Sequence, residues 1–232
     1  MICSIHQPQS FPWLGYFAKI IQSDVFIFLD DVQFKKNEWQ NRNKVKCGDI
    51  WQWLTVPVKH NFGQTIKETE INNNINWNRK NLQKLRTCYG KAQYFNLYFP
   101  EIENLFNSGW KYLSDFNIAF IKWIMDRLKI STATLKSSNV KELKNRPDVT
   151  ADERLIALTK ATKSDTYLSG VGGNNYLKVD LFPQNGIRLK FQEFQHPDYS
   201  QMNDQFISHL SILDLLLNEG DESLNIIKRG IR

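Results

Sequence analysis

Short apolar runs and amphipathic stretches alternate near the N-terminus. Ile2 to Ile5 is a short apolar run, an amphipathic stretch ends at Ile21, and Val25 to Leu29 is continuously apolar. A short continuous apolar run is typical of a strand buried on both faces. The segment between the first run and the amphipathic stretch contains two prolines, which remove backbone donors and predict a loop. This pattern predicts a β-α-β unit with parallel strands.

The middle of the chain has a different pattern. Two runs, 43–47 and 50–58, flank a Gly-Asp pair and predict a β-hairpin. Residues 65–71 predict another short strand. From about residue 77 to 129 the apolar spacing predicts three helices, the second beginning at Pro100. We therefore expect a helical insertion or cap over residues 75–130.

The α/β pattern then returns. Residues 133–135, 165–168 and 186–194 predict strands, residues 150–153 form a capping-box pattern that opens a helix, and residues 210–217 predict an apolar helix. The predicted fold class is α/β, with a Rossmann-like parallel sheet, a helical insertion and a small β-hairpin. We expect a single domain over residues 1–232.

Composition changes this picture in three ways. No apolar run is long enough to span a bilayer and the first residues lack the features of a signal peptide, so we expect a cytoplasmic protein without membrane insertion. Cys3, Cys47 and Cys88 are odd in number and widely spaced, so we expect free thiols rather than disulfides or a zinc site. The net charge of +6 favours phosphate, on a nucleotide or on nucleic acid.

Candidate catalytic side chains follow the first two predicted strands, at the edge where open α/β sheets bind ligands. His6 is a candidate general base or a hydrogen-bond donor to an oxyanion, with a structural role as the alternative. Asp30 and Asp31 are candidates to bind a metal or to orient a substrate amine. The alternative is that one of them caps the following turn. We assign no metal site.

A glycine-rich segment follows a later strand. Gly170, Gly172 and Gly173 would let backbone N–H groups approach an anion, or would simply allow a tight turn. Arg42 would suit a bidentate contact to carboxylate or phosphate. We expect His6, Asp31, Arg42 and Gly172 to meet in one cleft.

Other candidate binding residues are polar, aromatic or small residues in the same segments and in a second His-Pro turn. They are Gln7, Trp13, Gly15, Tyr16, Lys19, Gln33, Lys36, Trp39, Asn41, Tyr176, His196, Tyr199 and Gln201. His60 and His209 lack a comparable setting, and we expect surface or packing roles for them.

At these residues the chain resembles the WbqC-like family. The specific segments are IHQPQSFPWLGYFAKI, FLDDVQFKKNEWQNRNKVK and TYLSGVGGNNYL, and weaker matches extend nearly to the end. The resemblance implies work in O-antigen or capsule polysaccharide biosynthesis. It implies a transferase or ligase that modifies a nucleotide-activated amino sugar by acyl or aminoacyl transfer, with ATP or an acyl carrier as candidate cofactor.

The N-terminal unit is also similar, more remotely, to HIGH-type nucleotidyltransferases and pantoate–β-alanine ligase. In those enzymes two histidines flank a glycine and hold the phosphates of ATP. In this chain Trp13 and Tyr16 flank Gly15 instead. ATP adenylation would therefore need another donor, such as His6.

Two other classes of function compete with an enzyme. A nucleic-acid-binding module is favoured by the +6 charge and by aromatic residues that could stack on bases. The Lys and Arg residues are scattered rather than gathered in one stripe, which argues against it. The third class is a non-catalytic scaffold in a polysaccharide assembly. We expect a nucleotide-sugar substrate and no nucleic acid, while the sequence leaves the sugar, the donor and the oligomeric state open.

Overall fold

The computed structural model describes residues 1–141 and 149–232, and all structural statements refer to these. The strands are β1 Ile2–His6, β2 Val25–Phe28, β3 Arg42–Cys47, β4 Ile50–Thr55, β5 Val58–Lys59, β6 Glu70–Ile71, β7 Ala133–Lys136, β8 Thr166–Ser169 and β9 Arg188–Phe191. The helices are α1 Leu14–Ile21, α2 Trp77–Tyr89, α3 Phe95–Phe106, α4 Leu113–Arg127, α5 Ala151–Ala161, α6 Leu181–Gln184, α7 Ile212–Glu219 and α8 Ser223–Arg229.

A parallel sheet of five strands forms the centre of the fold. Its order is β7-β2-β1-β8-β9, and every neighbouring pair is parallel. The predicted Rossmann-like sheet is confirmed. The chain builds outward from β1 to β2 and β7 on one side, and later to β8 and β9 on the other. The carboxyl ends of β1 and β8 therefore lie at the point where the strand order reverses, where such sheets bind ligands.

Helices cover both faces of this sheet. On one face α1, α2–α4, α7 and α8 contribute to one apolar core. On the other face α5 and α6 pack over a smaller core that contains Ile5 and Tyr167. Burial on both faces explains why β2 and β8 carry continuous apolar or small residues. The capping box at Thr150 and Glu153 opens α5, as predicted.

The predicted hairpin is confirmed as β3 and β4, which are antiparallel and joined across Gly48 with φ at 66°. The single strand predicted over residues 65–71 is wrong. Ile66–Glu68 forms a 3₁₀ turn held by hydrogen bonds between Thr65 and Glu68, and only Glu70–Ile71 pairs with β5. The side chain of Glu68 satisfies the Thr65 backbone N–H, which stabilises a turn instead of an extended strand.

The start of the second predicted helix is also wrong. α3 begins at Phe95, so Pro100 lies inside the helix rather than at its start. Phe95, Phe99, Ile102 and Phe106 are all buried and spaced by three or four residues. Burial of this stripe outweighs the single backbone hydrogen bond that a proline removes.

The structure joins Cys47 of β3 to Cys88 of α2 by a disulfide, so the prediction of free thiols is wrong for these two. Cys3 is a buried free thiol. The two bonded cysteines are 41 positions apart in sequence, but packing of α2 on β3 brings their Cα atoms within 4.6 Å. Sequence spacing alone carries no sign of this approach. In the described part of the chain, no helix is long and apolar enough to cross a membrane.

Candidate functional site

A cleft opens at the carboxyl edge of the parallel sheet, beside the ends of β1 and β8. We call it the sheet-edge cleft. It encloses about 270 Å³ and is lined by Ile5, His6, Gln7, Leu29, Val32, Ala151, Arg154, Leu155, Tyr167 and Tyr176. Most of its walls are apolar, and its position is that of a ligand site in an open α/β sheet.

Arg154 supplies the positive charge of this cleft. It comes from the first turn of α5, and its Nη1 donates to Oδ2 of Asp31 at 3.0 Å. Ser137 donates to the other carboxylate oxygen of Asp31. Asp31 thereby fixes the guanidinium in place. Because a guanidinium has five N–H donors, an anionic ligand can bind Arg154 beside Asp31.

Asp30 has a different role from Asp31. Its side chain is 1% exposed and accepts hydrogen bonds from Ser137 and from the backbone and hydroxyl of Ser138. These contacts cap the turn after β7, whereas the alternative considered for the aspartate pair was a cap on the turn that follows it in sequence. Among the described residues, no three His, Cys, Asp or Glu side chains lie together as a metal site would require.

His6 is held uncharged at the edge of the cleft. Burial, and then the charge of Lys19, lower the pKa of His6 to about 3. Its ring lies 4.9 Å from that of Tyr16, and its buried Nδ1 has no hydrogen-bond partner among the described residues. An imidazole with so low a pKa is a weak general base near neutral pH, but it can donate a hydrogen bond.

Tyr16 and Lys19 of α1 donate hydrogen bonds to backbone carbonyls at the end of β1. The Tyr16 hydroxyl donates to the carbonyl of Gln7 at 3.1 Å, and the Lys19 Nζ donates to the carbonyl of Ile5 at 3.0 Å. Both side chains are buried. Burial lowers the pKa of Lys19 to about 7. In this structure both residues contact the protein backbone at β1, where we had expected ligand contacts.

The three glycines of the 170–173 segment differ in how much space surrounds their Cα atoms. A Cβ on Gly173 would lie 2.2 Å from the Ser169 hydroxyl and 3.0 Å from Leu177, so a larger residue there would force these side chains to move. A Cβ on Gly170 or Gly172 would meet no atom within 4 Å, and neither residue has a positive φ. Packing and backbone conformation thus do not explain these two glycines, which leave open backbone at the end of β8 but are not among the residues that line the cleft. Tyr176, from the same turn, is 67% exposed and lines the cleft.

A second depression, which we call the aromatic pocket, lies beyond the start of α1. It encloses about 250 Å³ and is lined by Gln9, Trp13, Trp39, Asn43 and His209. The rings of Trp13 and His209 stack with centroids 5.1 Å apart. Trp13 and Trp39 were predicted as site residues, whereas Gln9 and Asn43 were missed and His209 was assigned a surface or packing role.

His196 positions His209 in the aromatic pocket. Its Nε2 accepts the backbone N–H of His209 at 3.1 Å, and its ring is nearly parallel to that of Trp13. Burial, followed by the proximity of His209, lowers the pKa of His196. His209 itself has φ of 58°, an uncommon conformation for a residue with a side chain. No local sequence pattern predicts that conformation, so the sequence could not identify His209 as a residue of this pocket.

One short segment contributes a residue to each of the two depressions. Gln7 lines the sheet-edge cleft and Gln9 lines the aromatic pocket, and two residues span at most about 7 Å. Gln40 donates to the Gln7 side chain at 2.8 Å, and Asn117 of α4 donates to the carbonyl of Pro8 at 3.0 Å. The segment is therefore fixed by contacts from the helical region and from the loop after β2.

Of the predicted site residues, only His6, Gln7, Trp13, Trp39 and Tyr176 line either depression. Arg42 lies on β3 with its guanidinium 4.1 Å above the Trp53 ring, so it does not join His6 and Asp31. Asn41 is buried and donates to the carbonyl of Val56. Gln33 and Lys36 are exposed in the loop after β2.

Three further predicted residues contact the protein itself. Tyr199 and Gln201 each donate to Oδ2 of buried Asp214 at 2.8 Å. Burial raises the pKa of Asp214 to about 6. Gly15 is covered by Trp13, whose ring would lie 2.3 Å from an added Cβ. Gly15 thus makes room for the indole that forms the aromatic pocket.

Comparison with known proteins supports one assignment. A model of the WbqC-like protein family matches residues 7–226. An uncharacterized protein of Mycobacterium tuberculosis is 31% identical over 229 residues, which cover 97% of this chain and 96% of that protein. No solved structure matches the chain significantly. The remoter similarity to HIGH-type nucleotidyltransferases stays a prediction.

Proposed function

The chain belongs to the WbqC-like protein family, and we propose that it is an enzyme of surface-polysaccharide biosynthesis. In this proposal it transfers an acyl or aminoacyl group to the amine of a nucleotide-activated sugar. The observation that carries the proposal is the pairing of the sheet-edge cleft with the aromatic pocket across Gln7 and Gln9. Two parts of a sugar nucleotide, the anionic diphosphate and the sugar ring, correspond to these two depressions.

The diphosphate would occupy the sheet-edge cleft. Arg154 offers a guanidinium whose orientation Asp31 fixes, which suits a bidentate contact to phosphate. The open backbone at Gly170 and Gly172 lies at the end of β8, where phosphate can approach N–H groups closely. The overall charge of +6 also attracts an anionic substrate.

The sugar would occupy the aromatic pocket. The C–H faces of a pyranose pack on aromatic rings such as Trp13 and Trp39, while the amides of Gln9 and Asn43 can bind hydroxyl groups. Its volume of about 250 Å³ suits one ring rather than a chain of rings.

Two histidines would divide the chemistry between them. His209 lines the sugar pocket, and an imidazole nitrogen can accept a proton, so we assign it as general base toward the sugar amine. His6 is neutral and would donate a hydrogen bond to the oxyanion that forms when the amine attacks the acyl carbon. The acyl group would arrive as a thioester on a carrier or as an acyl adenylate made with ATP. As the C–N bond forms, the C–S or C–O bond of that donor breaks, and the carrier thiol or AMP leaves.

The test is product formation from a nucleotide-linked amino sugar, supplied with acyl-coenzyme A or with ATP and a carboxylic acid. Mass spectrometry should detect the sugar nucleotide with one added acyl group. We expect Arg154→Gln to raise KM about tenfold through a lost phosphate contact, and His209→Ala to lower kcat about 100-fold. His60→Ala is the matched control, because His60 lines neither depression. Absence of any nucleotide-dependent rise in the melting temperature would refute the proposal.

A further inference from the structure

A row of tryptophan rings continues outward from the aromatic pocket. Trp39 lines that pocket, and its ring centroid lies 5.9 Å from that of Trp53 on β4. Trp51 follows, with its centroid 5.3 Å from that of Trp53. Trp51 and Trp53 share a face of the hairpin because they are two residues apart on one strand. We call these three residues the tryptophan row.

The row ends at a groove of about 520 Å³ at the tip of the hairpin. Its walls include Lys44, Asp49, Ile50, Trp51 and residues 205–208. Lys46 donates to the backbone carbonyl of Gln205, which ties the far wall to β3. One continuous surface therefore joins a pocket sized for one ring to a larger groove, and tryptophan rings lie along it.

Apolar rings on this surface are open to solvent. Trp39 and Trp51 are each 42% exposed, and Ile50 beside them is 63% exposed. Contiguous exposed apolar surface is uncommon on soluble proteins and marks binding sites. None of these three side chains belongs to the large apolar core or packs against it. This exposure indicates a ligand that packs on aromatic faces.

Cations lie over one face of Trp51 and of Trp53. The Lys44 Nζ lies 4.5 Å from the Trp51 centroid, and the Arg42 guanidinium lies 4.1 Å from that of Trp53. The buried Nε of Arg42 has no hydrogen-bond partner among the described residues. Asp49 is the acidic residue of the groove wall. Charge complementarity thus favours a ligand that carries acidic groups at intervals.

We propose that the tryptophan row binds a chain of several sugar rings that carries carboxylate or phosphate groups. Its end ring would enter the aromatic pocket and its far end would lie in the groove beside Lys44. This inference rests on the proposed function only for the sugar ring that occupies the aromatic pocket. Single-stranded nucleic acid fits less well, because neighbouring rings of the row are inclined by 51° and 75° instead of offering parallel platforms for stacked bases.

The experiment uses oligogalacturonates of one to six rings, with the full chain and isothermal titration calorimetry. We expect affinity to rise at least tenfold from galacturonic acid to the hexamer. Trp51→Ala should remove this gain while leaving galacturonic acid binding and acyl transfer unchanged. Lys44→Gln should weaken the hexamer at least threefold without affecting neutral maltohexaose. Phe62→Ala, which removes an exposed ring outside the row, is the matched control.

Two results would overturn the inference. One is an affinity for oligogalacturonate that does not increase with length. The other is tighter binding of a twelve-residue oligothymidylate than of hexagalacturonate at physiological salt, which would assign the row to nucleic acid. The proposed function is judged separately, because the acyl-transfer assay uses a single-sugar substrate that does not reach Trp51. Acyl transfer without a length effect would leave the proposed function standing and remove only this inference.

Discussion

Replacing Lys19 with methionine should change how stability depends on pH. Lys19 is 3% exposed, and the one hydrogen bond it donates in the described structure goes to the carbonyl of Ile5. Burial lowers the pKa of Lys19 from 10.5 to about 7. Between those two values the unfolded chain holds the proton and the folded chain has lost it. Unfolding therefore takes up a proton, and stability rises with pH across this window.

The size of the effect follows from the same two pKa values. One pKa unit corresponds to about 1.4 kcal/mol, so the buried ammonium costs about 4 kcal/mol at pH 7. At pH 9 about 2 kcal/mol of that cost remains, because the folded protein has become neutral at this site. The native protein should thus gain about 2 kcal/mol of unfolding free energy from pH 7 to pH 9.

Methionine fills similar space without a charge. We expect Lys19→Met to lose the rise between pH 7 and pH 9. It should also be about 2 kcal/mol more stable than the native protein at pH 7, since removal of the charge outweighs the unsatisfied carbonyl of Ile5. The matched control is Lys122→Met, an exposed lysine on α4 that should leave the native pH dependence intact.

The measurement is urea unfolding at pH 7, 8 and 9, followed by tryptophan fluorescence. The range stops at pH 9 because burial raises the pKa of Cys3 to about 11, which gives the opposite slope above its unfolded value. A native protein with flat stability over this range, or a Lys19→Met variant that keeps the native slope, would refute the reasoning.

Four other substitutions test particular contacts. Gly173→Ala should lower stability by about 1–3 kcal/mol in urea unfolding because the methyl meets a hydroxyl, whereas Gly172→Ala should keep the native midpoint and weaken nucleotide binding in calorimetry. Asp214→Ala should lower stability by about 3 kcal/mol, because it leaves buried hydroxyl groups without an acceptor; an unchanged midpoint would contradict the role of this carboxylate. Cys88→Ser should lower the melting temperature measured without reductant and make it insensitive to dithiothreitol. The disulfide to Cys47 closes a long loop, and in the chain-entropy model this closure stabilises the fold by about 4 kcal/mol.

The candidate site was only partly accessible from the sequence. Polar residues after β1 and β2 were predicted to lie at one sheet edge, and His6 lines a cleft there with Arg154, which Asp31 holds. This placement follows from the parallel sheet, which has the carboxyl ends of all its strands on one side. Arg42 failed to join them because it begins β3, and the hairpin carries it to Trp53.

The sequence by itself determined the features that depend on neighbouring residues. The spacing of apolar residues identified the buried strands and the amphipathic helices. The Gly-Asp pair identified the hairpin, and Thr150 with Glu153 identified the start of α5. These signals are local because backbone geometry fixes which residues a few positions apart share a face.

Only the tertiary structure decided which distant side chains meet. Trp13 stacks on His209, Cys47 bonds to Cys88, and Arg154 pairs with Asp31. The tertiary structure also gave two adjacent aspartates different roles: Asp30 caps a turn, whereas Asp31 pairs with Arg154 at the cleft. Contacts between residues far apart in sequence depend on how whole elements pack, and the packing free energy is spread over the entire core. No short segment of the chain carries that information.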